Sequence, residues 1–124
     1  MKKEESLQVA ISKYLKLQYP NVIFTSESSG IRVPMKIAVQ MKRQRSIHKL
    51  PDMIILEPKL PNAAGLIFEL KSKSPYLKNG ELSKDQHIQA QAQTLYQLVQ
   101  KGYVAMFVWE FEQAKQVIDN YLNL

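Results

Sequence analysis

A chain of 124 residues, 45% of them hydrophobic, can bury one core and is too short for two, so a single domain over 1–124 is expected. Its 17 Lys and Arg against 11 Asp and Glu leave a formal charge of +6 and a pI near 9.5, which suits a polyanionic partner, nucleic acid first, although ribosomal and membrane-surface proteins share the balance. The lack of cysteine excludes disulfides and thiolate metal sites, two histidines fit zinc poorly, and no apolar run approaches membrane-spanning length, so an oxygen-ligated metal, no membrane and a cytoplasmic location are expected.

Leu7, Ala10, Ile11, Tyr14 and Leu15 recur at helical spacing, and Pro20 closes that helix by disfavouring helical backbone at Tyr19. The β-branched and aromatic run from Val22, "VIFTS", predicts a short strand, followed by an "ESSG" loop in which Gly30 can take positive φ. Pro34 can open a second helix at its first position, through Met35, Ala38 and Met41. Met53 to Leu56 and Leu66 to Leu70 read as an antiparallel hairpin with a long, turn-rich connection, whose open ends bring Asp52 near Glu69. Ile88, Ala92, Leu95 and Val99 make one apolar helical stripe, Gln86, Gln89, Gln93, Gln97 and Gln100 a polar one, and Gly102 stops the helix. "YVAMFVW" is apolar throughout, as a strand covered on both faces would be, and Phe111, Ala114, Ile118 and Tyr121 define a closing helix. The order α, β, α, β, β, α, β, α implies an α/β layered domain with a mixed sheet.

Chemistry concentrates at Pro51-Asp52 and Glu69-Leu70-Lys71. Phosphodiester hydrolysis calls for a hard cation, and Mg²⁺ takes one or two carboxylates together with water and phosphate oxygens. Asp52 and Glu69 can supply the carboxylates. Side chains at i and i+2 of a strand share a face, so Lys71 projects with Glu69 while Phe68 and Leu70 turn inward. There its ammonium can orient or help deprotonate an attacking water and offset charge on phosphorus. The bland readings are a turn residue at Asp52, an exposed Glu69 and Lys71 pair, and Ser83 to Gln86 as a capping box.

The ordered set "LPD", strand, turn, "FELK", then "LSKDQ" opening a helix and "KGY" entering an apolar strand resembles the PD-(D/E)XK nuclease superfamily. More narrowly it resembles the virus-type replication-repair nuclease (VRR-NUC) family in its small stand-alone phage and bacterial form, over nearly the whole chain. The resemblance implies a restriction-endonuclease-like fold and a Mg²⁺- or Mn²⁺-dependent DNA endonuclease without an organic cofactor. Asp52 and Glu69 would hold metal with the carbonyl of Leu70, and Lys71 would be the catalytic lysine. Glu4 would be the first-helix glutamate, preceding Gln8 at the family's spacing with Glu5 as the competitor, and Gln86 the glutamine that opens the helix after the ExK strand. Where many relatives have glycines before the PD, this chain has "IHKLPD". Stand-alone relatives are typically homodimers that cleave branched DNA such as Holliday junctions, which implies a homodimer here and a phage or prophage origin.

The basic cluster Lys36, Lys42, Arg43, Arg45, His48 and Lys49 precedes the motif and is expected to hold phosphate backbone without reading sequence. The competing classes are a non-catalytic DNA-binding module, a nickase or flap nuclease of the same fold, and a small basic RNA-binding protein.

Overall fold

The structure, a computed structural model, describes residues 2–26, 34–44, 46 and 49–124. In chain order the elements are α1 (Lys3–Gln18), β1 (Phe24–Ser26), α2 (Met35–Gln44), β2 (Met53–Ile55), β3 (Leu66–Leu70), α3 (Gln86–Gln100), β4 (Val104–Val108) and α4 (Phe111–Leu122). The expected order therefore holds, with β1 and β2 shorter than the apolar runs that announce them. The loop with Gly30, and Arg45 and His48 of the basic cluster, lie outside the described residues.

The sheet runs β1, β2, β3, β4 in space. β1 with β2 and β2 with β3 pair antiparallel, and β4 joins β3 in parallel after the α3 crossover. Strand alternation divides β3 between two layers. Leu66, Phe68 and Leu70 join Met53, Ile55 and Val108 against Leu7, Ile11 and Leu15 of α1 and Ala114, Ile118 and Tyr121 of α4. On the opposite face Ile67 and Phe107 meet Leu95, with Ile88, Ala92 and Leu98 of α3 packed around them. β4 is thus covered on both faces, as its unbroken apolar run suggested.

Helix boundaries have local causes. α1 ends where Tyr19 leaves helical backbone (φ −136°, ψ 64°), one residue before Pro20. α3 stops at Gly102, whose φ of 100° favours glycine. Its start differs from the expected capping box. Asp85 is the cap, its carboxylate accepting from the N–H groups of His87 and Ile88, because it stands immediately before the first helical residue and takes the place assigned to Ser83. Within α3 it is Leu98 that packs inward, while Val99 is 48% exposed at the edge of the stripe.

A polar clasp joins the first and last helices. The hydroxyls of Tyr14 and Tyr19 both donate to Asp119 Oδ1, and Lys115 Nζ lies 3.4 Å from Oδ2. Lys59 Nζ donates to the Leu122 carbonyl at 2.9 Å and the Tyr121 hydroxyl to that of Glu57 at 2.7 Å, which ties the β2–β3 connection to the end of α4. Ile118, fully buried between α1, α4 and the sheet, should be a sensitive position. Ile118→Ala is expected to cost about 2–5 kcal/mol in denaturant unfolding, and a loss below about 1 kcal/mol would show that this layer is not the main core.

Candidate active site

The β2–β3 register sets the site. Met53 stands opposite Phe68, so the next step outward brings Asp52 beside Glu69 at the open end of the hairpin. There the ladder is continued by a side chain: the backbone N–H of Leu70 donates to Asp52 Oδ2 at 2.8 Å. From α1, Gln8 Nε2 donates to the Asp52 carbonyl at 3.3 Å. Lys71 follows on the same strand line, its N–H donating to the Val108 carbonyl at 2.9 Å, so its backbone is held by β4.

Glu69 is 8% exposed, which disposes of the reading as a solvated surface pair with Lys71. It faces α3, where Gln91 Nε2 donates to its Oε1 at 2.7 Å. The same Nε2 lies 3.2 Å from His87 Nε2, while Gln91 Oε1 is buried without a hydrogen-bond partner among the described residues. Burial pushes the Glu69 carboxyl from its ordinary 4.5 up to about 8, with the neighbouring Asp52 charge and a hydrogen bond to Asp52 acting the same way and Lys71 and Lys49 opposing. Two carboxylates are crowded together with too little positive charge around them.

Three adjoining cavities surround this point. One of about 290 Å³ is lined by Lys49, Pro51, Glu69, His87 and Gln91. A second of about 580 Å³ holds Lys71, Glu4, Asp85 and His87, and a third of about 100 Å³ lies between Glu4, Glu5, Gln8, Asp52 and Leu70. Asp52, Glu69, Leu70, Lys71, Glu4 and Lys49 are therefore gathered around one place. Glu5 shares the small cavity with Glu4, but Glu4 also reaches the one that holds Lys71.

Gln86 is placed differently. It is exposed at the first position of α3, and the glutamine that reaches Glu69 is Gln91, more than a turn further along the helix. The sequence carried a signal for it. Gln91 stands three residues after Ile88 and four before Leu95, so it falls within the apolar stripe and outside the polar one, and a polar residue on a core-facing stripe needs a partner. His87, missed for lack of any periodic signal, sits where two of the cavities meet. Lys36, Lys42 and Arg43 lie exposed on α2.

The donors suit a hard divalent cation. No cluster of three His, Cys, Asp or Glu that could hold a metal occurs among the described residues, so a cation here would have Asp52 and Glu69 as its carboxylates, with the Leu70 carbonyl as the further donor that the sequence resemblance implies. That matches Mg²⁺, which keeps several waters, better than zinc. A cation between the carboxylates would also supply the positive charge that crowding and burial demand.

A mixed four-stranded sheet with helices on both faces and two carboxylates and a lysine at the open end of its central hairpin is an α/β, restriction-endonuclease-like fold. The solved structure of a VRR_NUC domain protein shares it, with a TM-score of 0.65 and 20% identity, covering 100% of this chain and 91% of that one. No protein-family model matches the chain, and no curated protein does. No helix among the described residues is long and apolar enough to cross a membrane.

The Glu69 shift has a definite pH signature. A carboxyl that binds its proton more tightly folded than unfolded stabilises the fold fully below about 4.5 and loses that contribution as pH rises through about 8. Asp119, held low by the two tyrosine hydroxyls, acts below its ordinary 3.8, and the raised Tyr14, Tyr19 and Tyr121 act above 10.0, outside this window. In EDTA the melting temperature is expected to fall between about pH 5 and pH 8, and Glu69→Gln to flatten that fall and melt higher than wild type at the upper end. An equal fall in both proteins would remove Glu69 as its source.

Proposed function

We propose that this chain is a nuclease of the VRR-NUC family, hydrolysing phosphodiester bonds in DNA with Mg²⁺ or Mn²⁺ at Asp52 and Glu69. The observation that carries the reading is the buried Glu69 beside the half-buried Asp52, with Lys71 two residues beyond Glu69, at the open end of the hairpin in a nuclease-type fold. When bound, the cation would neutralise the carboxylates and stabilise negative charge developing on the phosphate oxygens.

The protein's own groups do the rest. The Leu70 N–H holds Asp52 and the Gln91 amide holds Glu69, so both carboxylates point into the site before any ligand arrives. The Lys71 ammonium orients water for attack on phosphorus; the water loses a proton to bulk solvent as the new P–O bond forms, and the bond to the leaving oxygen breaks as that oxygen takes a proton from solvent water. Glu4 borders the space beside Asp52 and Lys71, and Lys49 offers a cation to the entering phosphate backbone, with Lys36, Lys42 and Arg43 exposed on α2 earlier in the chain. These contacts address backbone and not base edges, so selection is by DNA structure. Two copies related by a two-fold axis would present two sites for paired incision of a branched substrate such as a Holliday junction.

The decisive experiment incubates labelled four-way junction, flap, duplex and single strand with wild type and Lys71→Ala, in Mg²⁺, Mn²⁺ or EDTA. Metal-dependent cutting is expected, strongest on the junction and reduced about 100-fold or more by Lys71→Ala. Absence of cutting by wild type on every substrate would refute the nuclease reading, and cutting of linear duplex alone would refute the branched-DNA preference. Independently of turnover, Mn²⁺ is expected to raise the melting temperature of wild type and not of Asp52→Asn. Gln91→Leu should need about 10–100 times more Mn²⁺ for the same rise, and an unaltered Mn²⁺ titration would show that Gln91 does not position Glu69.

A further inference from the structure

The excess charge of this chain is not spread over it. Between Ser28 and Pro51 stand Arg32, Lys36, Lys42, Arg43, Arg45 and Lys49 and none of the 11 Asp and Glu. The 11 cations elsewhere balance the 11 acids, so this stretch carries the whole +6. It joins β1 to β2 and delivers the chain into Pro51 and Asp52, with Lys49 already lining the cavity that holds Glu69.

Its helix, α2, differs from the other three in burying none of its residues. At the helical repeat of about 100° per residue, Met35, Lys36, Val39, Lys42 and Arg43 fall on one face, about 120° wide. Ile37 and Met41 occupy the other side, and Met41 is half-buried. Against 44% for Ile37 on that side, Met35 is 84% exposed and Val39 45% on the first face. Cations and apolar side chains are interleaved there, unlike α3 and α4, whose apolar stripes meet the sheet.

That mixture selects an occupant. A second copy of α2 would set cations against cations, since the helix contains no acid to answer them. The phosphates of a paired duplex call for Lys42 and Arg43 but offer nothing to Met35 and Val39. Nucleic acid with unstacked bases presents both phosphates and apolar base faces, and apolar wedges between bases are an established use of such side chains. We propose that α2 is a nucleic-acid arm that grips unpaired or unstacked strand beside the catalytic centre, with Lys36, Lys42 and Arg43 on phosphates and Met35 and Val39 against bases. The arm deepens the nuclease reading and rests on it for its substrate class.

The test is fluorescence anisotropy of a labelled single strand and of a matched blunt duplex in EDTA, where nothing is cut. Met35→Ser with Val39→Ser is expected to weaken single-strand binding about tenfold and duplex binding no more than about twofold, given the apolar surface those side chains would bury. Lys42→Gln with Arg43→Gln should weaken both and reduce the slope of log affinity against log salt by up to about 2. Met35→Trp should tighten the single strand, a gain that no misfolded variant would produce. Equal losses on both DNAs from the apolar pair, or no loss on either, would overturn the arm. So would a serine variant that binds DNA as wild type does while sedimenting as a smaller assembly, which would assign the face to a second copy. Failure of the arm and failure of the nuclease are separable: wild type that binds single strand through α2 but cuts nothing with Mn²⁺ keeps the arm and loses the nuclease. Wild type that cuts while the α2 variants bind unchanged does the reverse.

Discussion

The hydrogen bond from the Leu70 N–H to the Asp52 carboxylate sits where the fold and the site become the same problem. β3 lies between β2 and β4, and every one of its residues is buried. An unpaired backbone N–H at its end would therefore carry a desolvation cost. β2 begins at Met53, two residues after the Pro51 that the register sets opposite Leu70, and the Asp52 side chain takes the role of the ladder's carbonyl. Completing the ladder thus fixes the direction of one carboxylate. Because the pairing register cannot slip without turning Phe68 out of the core, it fixes the distance of that carboxylate from Glu69 as well.

The cost of the arrangement falls on Glu69. Its side chain belongs to the α3 face of the sheet, where a small apolar cluster offers little to a charge, and Asp52 adds repulsion. The other face contains Phe68, Ile11, Leu15 and Ile118, all fully buried, and the stability that tolerates the unfavourable pair resides there. Two carboxylates held so close, with no ion pair to either among the described residues, are the feature on which the proposed cation site rests. Gln91 fits this picture: its N–H group serves Glu69 while its own carbonyl oxygen finds no partner among the described residues, which favours orientation of Glu69 over stability.

The proposed site and the proposed arm are differently built. The carboxylates, Lys71 and Gln91 sit on or against the central strands, where backbone pairing limits their movement. Three of the six excess cations, Lys36, Lys42 and Arg43, sit on α2, a helix that buries none of its residues. Rigid groups suit bond breaking, which depends on geometry within fractions of an ångström. Long-range attraction of a polyanion asks only for charge in roughly the right place.

Much of this was legible in the sequence, and for reasons that are local. Helices α1, α3 and α4 follow from apolar periodicity together with Pro20 and Gly102, and β2 to β4 from short apolar runs whose interruptions mark their ends. Asp52, Glu69 and Lys71 stood out because chemistry-bearing residues at strand ends are conspicuous against apolar neighbours. The capping of α3 by Asp85 was open to local reading too, yet Ser83 and Gln86 offered an equally local alternative, and spacing alone does not choose between two caps. What tertiary structure decided were the relations between elements distant in sequence. That Gln91 and not Gln86 meets Glu69 depends on how α3 lies across β3, that Glu69 is buried depends on both of its neighbouring strands, and that α2 is left uncovered depends on where the other helices pack. A sequence states which face of an element is apolar, because that is a property of spacing; which polar residue meets which is settled only when separate faces are brought together, because that is a property of packing.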